Sequence, residues 1–221
     1  MTDIPPPPPD IPALIRQCAP HVAEKTMRSL ISVESAQRPH AIGYKVVKNG
    51  AHYRLSRQPA NTTEAQQWAR WLLANGYRFD AGIAQVNTVN FASTGLTPET
   101  MFDACASIKA GAQILTQCYQ KARTRFSSEQ DALRAALSCY QSGNFRTGFR
   151  TGYVAKVLRA AGTKGGTAAS IKAAPQGAAT VSVVKSIHDT TSEVADFAPA
   201  KTSGAVATGA FATVAESGDS K

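Results

Sequence analysis

Nothing in this sequence is long and apolar enough to span a bilayer, and the stretch from Met1 to Pro9 lacks a basic start followed by an apolar run. No export signal is legible, so either the chain begins after a removed leader or it leaves by a route not written here. The cysteines Cys18, Cys105, Cys118 and Cys139 contain no C-x-x-C pair, which argues against a metal centre. Zinc spacing, a glycine-rich phosphate loop and interleaved aromatic and basic residues are all missing, which leaves nucleic-acid binding resting on charge alone. Aromatics also run out: residues 163–221 hold two of the eight Phe, no Trp and no Tyr. From Thr163 to Lys201 there is one aromatic residue and no helical or strand period. Ordering such a segment costs more conformational entropy than its burial returns, so a disordered tail is expected over 163–221.

The remainder is rich enough for one buried core. Residues 10–162 carry both Trp, all six Tyr and six Phe, and the excess of positive charge also sits in this part. Before residue 163 there are nineteen Lys and Arg against ten Asp and Glu; after it there are five of each. A basic surface attracts polyanions, among them nucleic acid, anionic lipid and the acidic peptides of a bacterial wall, and it also keeps a protein soluble. Four cysteines without metal spacing read as two disulfides formed in an oxidising compartment, in any of three pairings, or as buried thiols.

Pro5 to Pro9 is a stiff polyproline lead-in, outside the domain expected over residues 10–162. Asp10 caps a short helix with Pro12 in its first turn, and a second helix is expected from near Pro20 to Glu34, closed by Pro39. Asn49-Gly50, between β-branched and aromatic residues, marks a small hairpin within 41–57. Thr63 with Gln66 reads as a capping box for a helix carrying Trp68 and Trp71 and ending at Gly76. A helical turn follows towards Gly95, and Thr97-Pro98-Glu99 reads as the next helix start. Ser107 to Arg125 places Ile108, Ala112, Leu115, Cys118 and Tyr119 on one buried face. Ser127 with Gln130 opens a helix through Tyr140, broken by Gly143 and Gly148, and a last helix near 151–161 ends at Gly162. The fold class is mainly α, with one small β-hairpin.

One carboxylate is out of place. Met27, Leu30, Ile31 and Glu34 stand at i, i+3, i+4 and i+7, which puts Glu34 on the apolar face of its helix. Desolvation and the negative end of the helix dipole both favour its protonated form, and a protonated carboxyl can donate to a glycosidic oxygen. The alternative is a buried Glu paired with Arg38 or Arg57. Asp80 and Asp103 are the candidates for a second carboxylate, with loop or cap duty as the plainer reading of both.

Three stretches carry a resemblance. Ile31-Ser-Val-Glu34-Ser35 with Pro39-His-Ala-Ile42-Gly43, then Gly82-Ile83-Ala84-Gln85, then Ala136-Leu-Ser-Cys-Tyr140-Gln-Ser-Gly143-Asn144 resemble, in order, the E-S-x-x-x-P-x-A, G-L-M-Q and A-x-x-Y-N-x-G motifs of lytic transglycosylases, which have the goose-lysozyme-like fold. The likeness covers residues 11–161 and is closest to the VirB1-type branch associated with type IV secretion and conjugation. It implies that Glu34 is acid and then base, cutting the bond between N-acetylmuramic acid and N-acetylglucosamine. No cofactor is implied, and because the 6-hydroxyl of the muramic residue attacks in place of water and leaves a 1,6-anhydro end, a single carboxylate can suffice. It further implies that Ser35 orients the Glu34 carboxyl, that Gly82 lets backbone approach the glycan, that Gln85 binds sugar amides and that Tyr140 hydrogen-bonds the catalytic carboxyl. Ala84, Asn87 and Gln141 depart from the usual Met, apolar residue and Asn. Trp68 and Trp71 fit either a core or a sugar-stacking wall.

The expected partners are peptidoglycan strands and, through the tail, type IV secretion components, in the periplasm. A muramidase on the same fold and a non-catalytic wall-binding scaffold are the competing readings.

Overall fold

A computed structural model describes residues 9–43, 46–162 and the backbone of 194–197. Residues 5–8 of the polyproline lead-in and most of the tail fall outside the described residues. Helix α1 spans Ile11–Cys18, opened by Asp10, whose side chain accepts from Ala13 N at 3.2 Å. Helix α2 spans Glu24–Ser35, starting later than Pro20 because residues 20–22 form a turn. Its buried face is Met27, Leu30 and Ile31, each fully excluded from solvent.

The hairpin is β1 (Val46–Lys48) and β2 (Ala51–Leu55), antiparallel with Lys48 opposite Ala51. Asn49 (φ 52°) and Gly50 (φ 83°) are both left-handed, as the two-residue turn requires. Helix α3 is Thr62–Ala74, but its capping box lies two residues before the expected one: the Asn61 side chain accepts from Glu64 N, and Glu64 Oε2 accepts from Ala60 N. Two-residue strands β3 (Asp80–Ala81) and β4 (Val86–Asn87) pair across the Gly82–Gln85 loop. A 3₁₀ turn at Thr88–Asn90 and helix α4 (Phe91–Thr94) lead to left-handed Gly95.

Helix α5 is Ala104–Arg123, the central element, with Ile108, Ala112, Leu115, Cys118 and Tyr119 all buried as their spacing predicts. It does not begin at Thr97-Pro98-Glu99. There the Thr97 hydroxyl accepts from Glu99 N and closes a local turn, and Asp103 supplies the cap, accepting from Ala106 N at 2.7 Å. Helix α6 is Glu129–Ser142, capped by Ser128 rather than Ser127 and ended by left-handed Gly143. Helices α7 (Thr147–Arg150) and α8 (Tyr153–Ala160) pack back on α6, and α8 also packs on α2. Gly148 lies inside α7 instead of breaking a helix, because a Cβ there would stand 2.6 Å from Ser138 Cα.

Strand β5 (Val194–Phe197), within the segment where no period is legible, runs parallel to β2. The free edge of β2 explains this: a partner strand supplies the hydrogen bonds and register that local sequence does not. Two of the three open cysteine pairings are eliminated, leaving Cys18–Cys105 between α1 and the start of α5, and Cys118–Cys139 between α5 and α6. Among the described residues no helix is long and apolar enough to cross a membrane.

Cys18–Cys105 joins residues 87 apart and Cys118–Cys139 residues 21 apart. Loop-closure entropy then predicts about 4.5 kcal/mol lost on replacing the first pair by serine and about 3.5 kcal/mol for the second. Urea unfolding of the two double variants checks the order.

Candidate active site

The cleft forms where the last turn of α2, the Gly82–Asn87 segment, α5 and α6 meet. Glu34, Gln85, Val86, Asn87, Asn90, Ile114, Tyr140 and Gln141 line it. Glu34 is half-buried and is the single carboxylate in that lining among the described residues. Just beyond it, Ala36 (φ 52°) and Gln37 (φ 64°) take left-handed conformations that cost L-residues on the order of 1 kcal/mol each. The helix therefore stops at once, leaving the carboxyl at a free edge. Of the two arginines considered as partners, Arg57 pairs with Glu64 at 2.5 Å, and Arg38 Nε donates to Ser35 O at 3.1 Å.

The hydroxyl that donates to Glu34 Oε1 is that of Tyr153, in the first turn of α8. Tyr140, expected in that place, gives its proton to Ala84 O at 2.6 Å. Both rings are buried, and burial, then the charge of Glu34, pushes both hydroxyls well above the usual tyrosine range. Asp80 adds to this shift in each case, so its charge reaches into the site.

Ser35 does not point at the Glu34 carboxyl; its Oγ donates to Ile83 O at 2.7 Å, pinning the end of α2 to the loop before Gln85. Gly82 (φ 77°) makes its close approach to protein, since a Cβ would lie 2.2 Å from Met101 O and 2.6 Å from Ser107 Oγ. Gln85, also left-handed at φ 48°, donates through Nε2 to Ala41 O and Gly82 O at 3.1 and 2.8 Å. Both amide hydrogens are spent on backbone, which leaves Oε1 as the acceptor offered to the cleft.

Of the two candidate second carboxylates, Asp103 is the α5 cap, whereas Asp80 is 1% exposed and accepts from Asn87 Nδ2 at 2.7 Å. Trp68 and Trp71 are half-buried; Trp71 stacks on Tyr77, and Tyr77 meets Tyr53 edge-on, so the helix and hairpin share one aromatic cluster. Gly111 of α5 gives room at the centre, because a Cβ there would stand 2.8 Å from Ala84 Cβ and 2.9 Å from the Tyr140 hydroxyl.

The family model described as the transglycosylase SLT domain matches residues 12–160, a span that includes every cleft-lining residue. The chain belongs to the SLT transglycosylase family. It is 46% identical over 154 residues to the type IV secretion system protein virB1 of Brucella suis biovar 1, covering 67% of this chain and 62% of that protein. It is 38% identical over 146 residues to protein virB1 of Rhizobium radiobacter, covering 66% of this chain and 58% of the relative. Against protein virB1 of Agrobacterium fabrum the identity is 35%, over 66% of this chain and 57% of the relative. The chain thus spans less than two thirds of the length of these relatives. No solved structure matches it.

Within this SLT domain, sequence reasoning missed Tyr153 and did not see that Asn87 and Asp80 form a pair. The signal for Tyr153 was Gly152, left-handed at φ 74°, which marks a helix start and places the aromatic residue on its inward face with Val154 and Val157.

Both buried phenols make a pH prediction. A hydroxyl whose pKa is raised in the folded state stabilises the fold below the unfolded value and ceases to as pH climbs past it. Unfolding free energy should therefore decline above about pH 10, and Tyr140→Phe and Tyr153→Phe should each flatten that decline. Urea titrations between neutral and strongly alkaline pH measure the slopes.

Proposed function

We propose that this chain cleaves peptidoglycan strands as a lytic transglycosylase, breaking the β-1,4 bond between N-acetylmuramic acid and N-acetylglucosamine with Glu34 as acid and then base. The observation that carries this reading is one carboxyl at the open edge of the cleft, held by a tyrosine hydroxyl, with no other carboxylate in the described lining. Partial burial and the helix C-terminus favour the protonated carboxyl that first donates to the glycosidic oxygen. The C1–O bond breaks as that proton arrives. The carboxylate then takes the proton of the muramic 6-hydroxyl while its oxygen bonds to C1, leaving a 1,6-anhydro end and restoring the acid.

Tyr153 acts on the second half of this cycle, because a donated hydrogen bond stabilises the ionised carboxyl. A two-carboxylate hydrolysis needs a nucleophile or a water-activating base beside C1. Asp80 is buried beneath the cleft, and one of its oxygens is occupied by Asn87, which disfavours that route. Gln85 Oε1 serves as acceptor for an acetamido N–H of the sugar. Tyr140, Ser35 and Gly82 support the site by fixing the loop that carries Gln85.

The Brucella relative's name places that protein in a type IV secretion system, and we read this chain as opening the wall locally for such an apparatus. Two disulfides suit the oxidising periplasm, where the wall lies. The basic surface suits the acidic wall peptides, and residues 163–221 are the segment that would meet secretion components.

Glu34→Gln should abolish muropeptide release from purified sacculi while leaving unfolding free energy near wild type. Tyr153→Phe should lower kcat on the order of ten- to a hundredfold, the worth of one hydrogen bond to a charged group. Mass spectrometry of the products decides the reaction: anhydro ends support it, and products one water heavier assign a muramidase instead. No turnover by pure wild-type protein that still binds sacculi would make it a scaffold.

A further inference from the structure

The cross-strand pair Asp80 and Asn87 has no part in the proton transfers, yet it is the most tightly built polar feature beneath the cleft. The two residues face each other in the β3–β4 register and are 1% and 3% exposed. Asn87 is fixed from both ends of its amide: Oδ1 accepts from Val89 N at 3.1 Å, and Nδ2 donates to Asp80 Oδ1 at 2.7 Å. That pattern sets which end is nitrogen, since Oδ1 must face an N–H and Nδ2 a carboxylate. Asp80 is itself seated closely, with its carbonyl accepting from Gly43 N at 2.7 Å and its Cβ only 3.2 Å from where a Cβ on residue 43 would sit.

An amide nitrogen has two hydrogens, and Asp80 takes one of them. Asn87 also lines the cleft, together with Gln85 and Glu34. The floor therefore offers an acceptor from Gln85 Oε1 and, two residues along, a donor from Asn87 Nδ2. A substrate group that presents one N–H and one carbonyl meets both; a hydroxyl needs only one of them.

We propose that Asn87 is a specificity-determining residue that donates to the acetamido carbonyl of an N-acetylated sugar, and that Asp80 is the positioning residue that holds its amide in that orientation. This rests on the glycan-cleaving reading of the same cleft. A buried carboxylate is costly unless hydrogen-bonded, and here, with Val89 N at the other end of the amide, it holds a neutral donor in one orientation. Asp80→Asn replaces an acceptor-only group by one that can also turn a donor towards Nδ2, so the hold on the amide weakens although Val89 N still faces Oδ1.

The test uses binding, so that it stands apart from turnover. The full chain is titrated calorimetrically with N-acetylated chitotetraose and with cellotetraose, which has the same β-1,4 backbone and no acetamido groups. Wild type should prefer the N-acetylated ligand. Asn87→Ala and Asp80→Asn should each weaken chitotetraose binding about fivefold, the worth of one neutral hydrogen bond, and change cellotetraose binding less than twofold. Asn87→Ala decides the matter if Asp80→Asn fails to fold, which circular dichroism shows. Equal losses on both sugars, no loss on either, or a wild type without preference for the N-acetylated ligand would overturn the proposal. Loss of muropeptide release in Glu34→Gln is read separately: if wild type releases nothing but the binding pattern holds, the catalytic reading fails and the acetamido site stands.

Discussion

A hydroxyl reaching a carboxyl from 119 residues away, Tyr153 to Glu34, is the contact on which the arrangement depends. It joins the end of α2 to the start of α8 and so closes the domain while it equips the site. To act as proposed, Glu34 needs to be sheltered enough to hold a proton and open enough to meet a sugar. A last-turn position beside a left-handed stop meets both needs, and the Tyr153 hydroxyl from a distant helix helps to steady the side chain. The aromatic ring buries its body against the core and spends its one polar atom on the carboxyl.

The rest of the domain supports that junction by small volumes more than by large ones. Gly111 and Gly82 sit where any Cβ would collide with Ala84 and the Tyr140 hydroxyl, or with Met101 O and Ser107. The loop between β3 and β4 can therefore lie directly on α5, with Ser35 tying it to α2 and Tyr140 tying it to α6. Three helices thus meet at one strained loop whose Gln85 is left-handed, and strain of this kind persists only where the surroundings over-determine it. The two disulfides anchor both ends of α5, the element against which the loop is laid.

What could be read without coordinates was local. The i, i+3, i+4, i+7 spacing found Glu34, Asn49-Gly50 found the hairpin, and the apolar stripe of α5 found the core. Helix caps slipped by one to several residues where the sequence offered competing donors and acceptors: Asn61 precedes Thr63, Ser128 follows Ser127, and Thr97 closes a turn of its own well before Asp103. Side-chain partners were less legible still. Ser35, Gly82 and Tyr140 were identified by motif, yet each turns to backbone or core, because a motif records which residues recur and not which atoms they face. The Asp80–Asn87 pair is a matter of register across a two-residue ladder, and strand β5 depends on an edge supplied by another part of the chain; neither carries a period.

Placing one carboxylate in the cleft and another beneath it divides the electrostatic labour. In the proposed reaction, a second exposed carboxylate would compete for the proton and offer water a base, favouring hydrolysis instead. Buried and hydrogen-bonded, Asp80 is denied that chemistry while its charge still reaches Tyr140 and Tyr153, raising both hydroxyls along with Glu34. Phenols held that firmly neutral remain donors throughout the physiological range. In the proposed cycle, Tyr153 thus stays a neutral donor to Glu34 after that carboxyl has given up its proton.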